Sequence, residues 1–234
     1  MFSAHPRHIA SLHIRVKAHN ASDVQLSVFL ISLPQSSDRR ERIRPQLLRH
    51  AASITEVQAI DGRKGDLQQF TIKVPPSCDA TTKAQLAVTA SHLKAIHEAY
   101  RSNADMALIV EDDMKVLRWP SHGLLYTAPP DWDILLLYMM GAQADSIYRS
   151  PSSLWVAWGP SIFSAGAYII HRPAMQKILD SYMPGASQSE KFTTLDLTAV
   201  STNWEHPLAC QSERVVFSVV MQPSPLHTGT LAEL

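Results

Sequence analysis

The chain has 234 residues, 45% hydrophobic and 18% charged, and its 21 basic and 21 acidic side chains cancel. That length supports one substantial domain or two small ones with a self-sufficient core, and the charge balance gives no footprint for nucleic acid or an anionic membrane. Two cysteines, Cys78 and Cys210, exclude a disulfide framework and are not spaced as a metal clip, and no run approaches the about 18 apolar residues of a membrane span.

Residues 1–25 are basic and carry histidines but no continuous apolar stretch. They read as a loosely ordered extension rather than a secretory signal, so the default compartment is cytoplasmic. A single domain is expected over 26–234. It opens with a strand, "LSVFLISL", closed by Pro34. "PQSSDRRERIRPQLLRH" follows as an arginine-rich helix that Pro45 should kink or split. "ITEVQAI" is a second strand, ended by the turn pair Asp61-Gly62, and residues 63–80 read as a long, partly irregular connection. "TTKAQLAVTASHLKAIHEAYRSN" is the clearest helix, because Leu86, Ala90, Leu93, Ile96 and Tyr100 recur at three- and four-residue steps. "MALIV", "DWDILLLYMM", "SAGAYII" and "RVVFSVVMQP" read as further strands. "HRPAMQKILDSYM" is a helix with Pro173 where a first turn accepts it. The alternation of strands and helices predicts an α/β fold.

The strand Ala107-Leu108-Ile109-Val110 ends on three consecutive carboxylates, Glu111, Asp112 and Asp113. Four aliphatic residues in a row indicate burial on both faces. Adjacent acids repel one another unless they are solvated or share a cation. They can be loop or first-turn acids. In an α/β sheet, however, ligands gather beyond the carboxyl ends of the strands, where these acids sit.

"VFLISLPQSSDRRERI", "AIDG", "SHLKAI", "ALIVEDDM", "WDILLL" and "GAYIIHRPA", in this order, resemble glycosyltransferase family 25, over about residues 26 to 226. That family includes bacterial lipooligosaccharide galactosyltransferases and collagen galactosyltransferases. The resemblance implies a GT-A-like nucleotide-sugar-binding sandwich, with a mixed central sheet flanked by helices. It implies an inverting transferase that moves a sugar from a nucleoside-diphosphate donor, usually UDP-linked, to a hydroxyl of a glycan or glycoprotein acceptor. It also implies a divalent cation, Mn²⁺ or Mg²⁺. Independently, a cation held by carboxylates would neutralise a departing diphosphate without proton transfer.

The resemblance assigns Asp113 to the metal, Glu111 to the ribose or metal shell, and Asp112 to a supporting place. Leu33, Pro34 and Arg39 match the nucleotide-holding end of the first strand, although Arg39 could equally be a solvated helix arginine. Asp61 and Gly62 match a turn near the base, and an Asp-Gly pair also makes a tight turn by itself. Ser91 and His92 match a pair on the long helix, where His92 contacts the donor or simply packs. Gly166, Ala167 and Tyr168 match an acceptor-side segment. Asp196, in "TTLDLTAV", matches an acceptor-side acid and is the candidate base; the other reading is a first-turn acid capped by Thr193 or Thr194. His227 is a candidate late metal ligand. A catalytically inactive nucleotide-sugar or glycan-binding module of the same fold is the alternative. A Mg²⁺-dependent phosphatase or nuclease would want a second acidic cluster, which the sequence lacks.

Overall fold

A computed structural model describes residues 25–69, 71–73, 80–130, 132–138, 155–157, 165–183, 194–196 and 217–220. The extension up to residue 24, both cysteines and His227 lie outside these residues. The expected strands form: β1 (Ser27–Ser32), β2 (Ser53–Gln58), β4 (Met106–Glu111), β5 (Ile134–Leu136), β7 (Ala167–His171) and β9 (Phe217–Val220). They join β6 (Trp155–Ala157) in a seven-stranded sheet of order β2-β1-β4-β7-β5-β9-β6. The sheet is mixed, as the α/β reading requires. β1 runs parallel to both β2 and β4, whereas β7 is antiparallel to its neighbours β4 and β5. A separate parallel pair joins β3 (Thr71–Lys73) to β8 (Thr194–Asp196).

The helices explain why β1 and β4 read as unbroken apolar runs. On one face, Leu86, Ala90, Leu93 and Ile96 of α2 (Ala80–Arg101) pack with Met175, Ile178 and Leu179 of α4 (Arg172–Tyr182) over Phe29, Ile31 and Ile109. On the other, Ile43 and Leu47 of α1 (Ser37–Leu48) cover Val28, Leu30, Leu108 and Val110, together with Trp119 and Trp132. With both faces covered, alternate residues of each strand have a core to enter, and polar positions disappear from the strand interior. Each fully buried aliphatic side chain of this kind contributes about 1.5–3 kcal/mol.

Several expectations need correction. Pro45 does not divide α1, which runs continuously from Ser37 to Leu48. Pro45 is exposed and stands three residues from the helix end, so it removes one hydrogen bond, while the buried Ile43 and Leu47 on either side of it hold the helix to the sheet. Within 63–80 lie a short 3-10 turn, Asp66–Gln69, and β3. A short helix α3 (His122–Tyr126), capped by the Ser121 side chain on the Leu124 amide, interrupts the segment after the acids. Asp196 ends strand β8 and is not in the first turn of a helix. Among the described residues no helix is long and apolar enough to cross a membrane.

Candidate functional site

From β1 the chain passes through α1 to β2 on one side, and β4 pairs with β1 on the other. The crevice beyond the carboxyl ends of β1 and β4 is therefore a topological switch point, where open α/β sheets bind ligands. The three acids emerge there. The Asp112 amide donates to the Ile31 carbonyl at 3.1 Å and the Glu111 amide donates to the Gly166 carbonyl at 2.9 Å, so the acidic turn is stitched between the ends of β1 and β7.

Each acid meets a different environment. The Asp112 carboxylate is buried; it accepts a 2.6 Å hydrogen bond from Ser32 Oγ and a 3.4 Å bond from Arg39 Nη1. Glu111 Oε1 lies 3.0 Å from His92 Nε2, and its side chain is 31% exposed. The hydrogen bond from His92 holds the Glu111 carboxyl below the ordinary range, outweighing burial, with the Arg39 charge assisting. Asp113 is exposed, yet its carboxyl is pushed up. Partial burial is the first cause and the charge of Glu111 the second; Asp112 adds to them, and Arg39, 3.6 Å away, opposes. The site thus sets three adjacent carboxylates against the Arg39 guanidinium that touches two of them.

Arg40 reaches the same corner through Ser32. It donates to Ser32 Oγ at 2.9 Å and to the carbonyls of Leu33 and Pro34 at 2.6 and 3.0 Å. The expected Leu33-Pro34 segment is thus pinned at the edge of the crevice. Ser91 is buried on α2; its hydroxyl accepts from the Ile60 amide at 2.9 Å and donates to the Ala87 carbonyl at 2.7 Å. It fixes the chain just before Asp61 and Gly62. Burial opposes ionisation of Asp61, but the Arg63 amide, the Gln35 side chain and the charges of Arg63 and Lys64 hold its carboxyl below the ordinary range.

His92 is buried between two partners, with Nε2 on Glu111 and Nδ1 3.2 Å from the Tyr168 hydroxyl. The two rings are tilted, with centroids 5.7 Å apart. Tyr168 is 1% exposed, so its side chain belongs to the core and not to an acceptor surface. Burial, and secondarily the charge of Glu111, push its hydroxyl well above the ordinary value and keep it a donor. At Gly166 a Cβ would stand 2.8 Å from Met114 Sδ and 2.9 Å from Met114 Cε, so the space that a glycine leaves is taken by Met114. The backbone of Ala167 closes the edge towards β5 by accepting from the Leu137 amide at 2.9 Å.

Asp196 pairs in register with Lys73 of β3, and its neighbour Leu195 is buried in the core under α2. The structure therefore brings Leu33, Pro34, Arg39, His92, Glu111, Asp112, Asp113 and Gly166 together near the carboxyl ends of β1 and β4, while Ser91 is buried on α2 and holds the chain before Asp61 and Gly62. Ser32, Gln35, Arg40 and Met114 join them unforeseen. Ser32 carried a signal, being the polar last residue of an apolar strand. Arg40 had none that separated it from Arg39, Arg42 and Arg44. Among the described residues no three His, Cys, Asp or Glu side chains are grouped to hold a metal ion.

A family model described as glycosyltransferase family 25 (LPS biosynthesis protein) matches residues 25–119, from β1 past the acids. No curated protein matches the chain.

Proposed function

We propose that this chain, a glycosyltransferase family 25 sequence over residues 25–119, transfers a sugar from a UDP-linked donor to a hydroxyl of a glycan or glycoprotein acceptor, with inversion and with Mn²⁺ or Mg²⁺. The observation that carries the reading is the crowding of Glu111, Asp112 and Asp113 at the switch point, where Asp113 remains exposed while partial burial, and then the charge of Glu111, disfavour its ionisation.

Such a carboxylate gains most from a cation. A hard cation of this kind takes most of its shell from phosphate oxygens and water and only one or two carboxylates from the protein. Asp113 would hold it, with Glu111 on the ribose or the same shell. The cation would neutralise the diphosphate as it leaves. Arg39, half-exposed beside Asp112 and Asp113, would meet the donor phosphates, and Asp196 is the proposed base for the acceptor hydroxyl.

One observation favours the second reading, a binding module without turnover: Arg39 already lies against two of the three acids and can stand in for a metal. Calorimetry with UDP separates the two. Under the first reading UDP binds tightly only with Mn²⁺, Asp113→Asn abolishes that dependence in a folded protein, and UDP is released from a donor in the presence of acceptor. Metal-independent UDP binding without release would select the second. Unchanged Mn²⁺-dependent affinity in Asp113→Asn would remove Asp113 from the site.

A further inference from the structure

We propose that Tyr168 is a positioning residue, which orients the Glu111 carboxylate through His92. The inference rests on the donor-binding reading of Glu111 and adds to it a residue that touches no substrate. Three elements meet in this chain of contacts: β7 supplies Tyr168, α2 supplies His92 and β4 supplies Glu111. Tyr168 and His92 are each 1% exposed, so water does not substitute for either partner. The Glu111 carboxylate can only accept, so Nε2 must carry the proton of a neutral ring; Nδ1 is then the acceptor, and the Tyr168 hydroxyl 3.2 Å away is its donor. An imidazole whose far nitrogen is held in this way presents its near nitrogen in one orientation and one tautomer.

Glu111 spends Oε1 on His92, and its carboxylate makes no further hydrogen bond among the described residues. With its side chain 31% exposed, the second oxygen is the one offered to the crevice. Backbone anchoring completes the arrangement, because the Glu111 amide is bonded to Gly166, two residues before Tyr168. β7 therefore grips Glu111 twice, once through its main chain and once through the tyrosine and histidine. A tyrosine used only for packing would need no such partner, and phenylalanine would fill the same volume.

Two measurements test this. In the native protein, ¹⁵N NMR of labelled histidine should find the His92 proton on Nε2 and Nδ1 unprotonated. A proton on Nδ1 would overturn the proposal, whether or not the chain binds nucleotide. Tyr168→Phe keeps the ring and removes only the donor. Outer partners of this type typically change metal affinity about 10- to 100-fold, so Mn²⁺-dependent UDP affinity should fall about 10-fold while the circular dichroism spectrum stays native. Equal affinity in a folded Tyr168→Phe, with native protein that binds UDP and Mn²⁺, would sink the positioning role. If the native protein itself does not bind UDP with Mn²⁺, the donor-site reading fails instead, and the NMR result alone decides whether the hydrogen-bonded chain exists.

Discussion

Glu111, Asp112 and Asp113 are neighbours in the chain, yet one is bonded to a buried histidine, one to a serine and an arginine, and one stands in the open. The histidine contact depresses Glu111, whereas partial burial and the charge of Glu111 raise Asp113. A carboxyl whose folded value lies above its unfolded value costs stability once it is ionised, and that cost vanishes below the unfolded value. Asp113→Asn should therefore melt higher than the native protein at pH 7 without ligand. The gain is small because the side chain is half in water: about 0.5 kcal/mol, or about 1–2 °C for a chain of this size. Scanning calorimetry at pH 7 and at pH 3 should find the gap at the first and none at the second. A variant that melts lower at pH 7 would mean that the bond to Arg39 outweighs the repulsion. At this scale the acids were legible in the sequence because three charges after four aliphatic residues break a pattern. The Tyr168–His92 contact was not, since 76 residues separate them and no local spacing encodes a pairing made by sheet order.

Helix α4 is held at its start by His171, whose Nδ1 accepts from the Ala174 amide at 3.2 Å while Nε2 donates to the Trp132 carbonyl. Burial, the first cause, lowers the His171 value despite that carbonyl and the charge of Asp133. A histidine depressed in the folded state binds its proton more readily when unfolded, so its contribution is complete above about 6.5 and is lost as pH falls through the window below it. Urea denaturation should find stability falling between pH 7 and pH 5.5. His171→Asn, which caps without titrating in this range, should flatten that slope. An unchanged slope would place the titrating group elsewhere. The same helix clasps β5 through Lys177 Nζ, 2.7 Å from the buried Asp133. Legibility here followed length. β1, β4, α2 and α4 carry enough residues for a period to repeat, whereas β3, β6 and β8 are three residues each and α3 is five; β5, also three residues, was legible because it lies inside the longer apolar run of residues 134–140. Three residues form a strand because a neighbour accepts them, and their own composition does not announce it. Pro45 misled for the opposite reason: a strong local signal was overruled by two buried anchors, Ile43 and Leu47, on either side of it.

Across the whole molecule, the crevice is built from the ends of β1 and β4, the middle of α2 and the start of β7. A ligand bound there gains affinity only when all four are in place. Anything that binds the folded chain alone stabilises it by mass action, about 2.7 kcal/mol at a hundred times its dissociation constant. UDP and Mn²⁺ together should accordingly raise the melting temperature by about 5–11 °C, and either alone should do much less. Equal shifts for UDP with and without Mn²⁺ would argue against a shared metal. The sheet order also has a consequence for how the chain is made. β1, β2 and β4 are complete once residue 111 has left the ribosome, but β7, which pairs with the far side of β4, begins at residue 167. At cellular elongation rates the interval is about 3–11 s. Throughout it the apolar strand Met106–Glu111 has an open edge, and His92 waits without its tyrosine. The nascent chain thus passes through a stage with its acids already assembled and one edge of an apolar strand uncovered, a stage at which a chaperone would have something to hold.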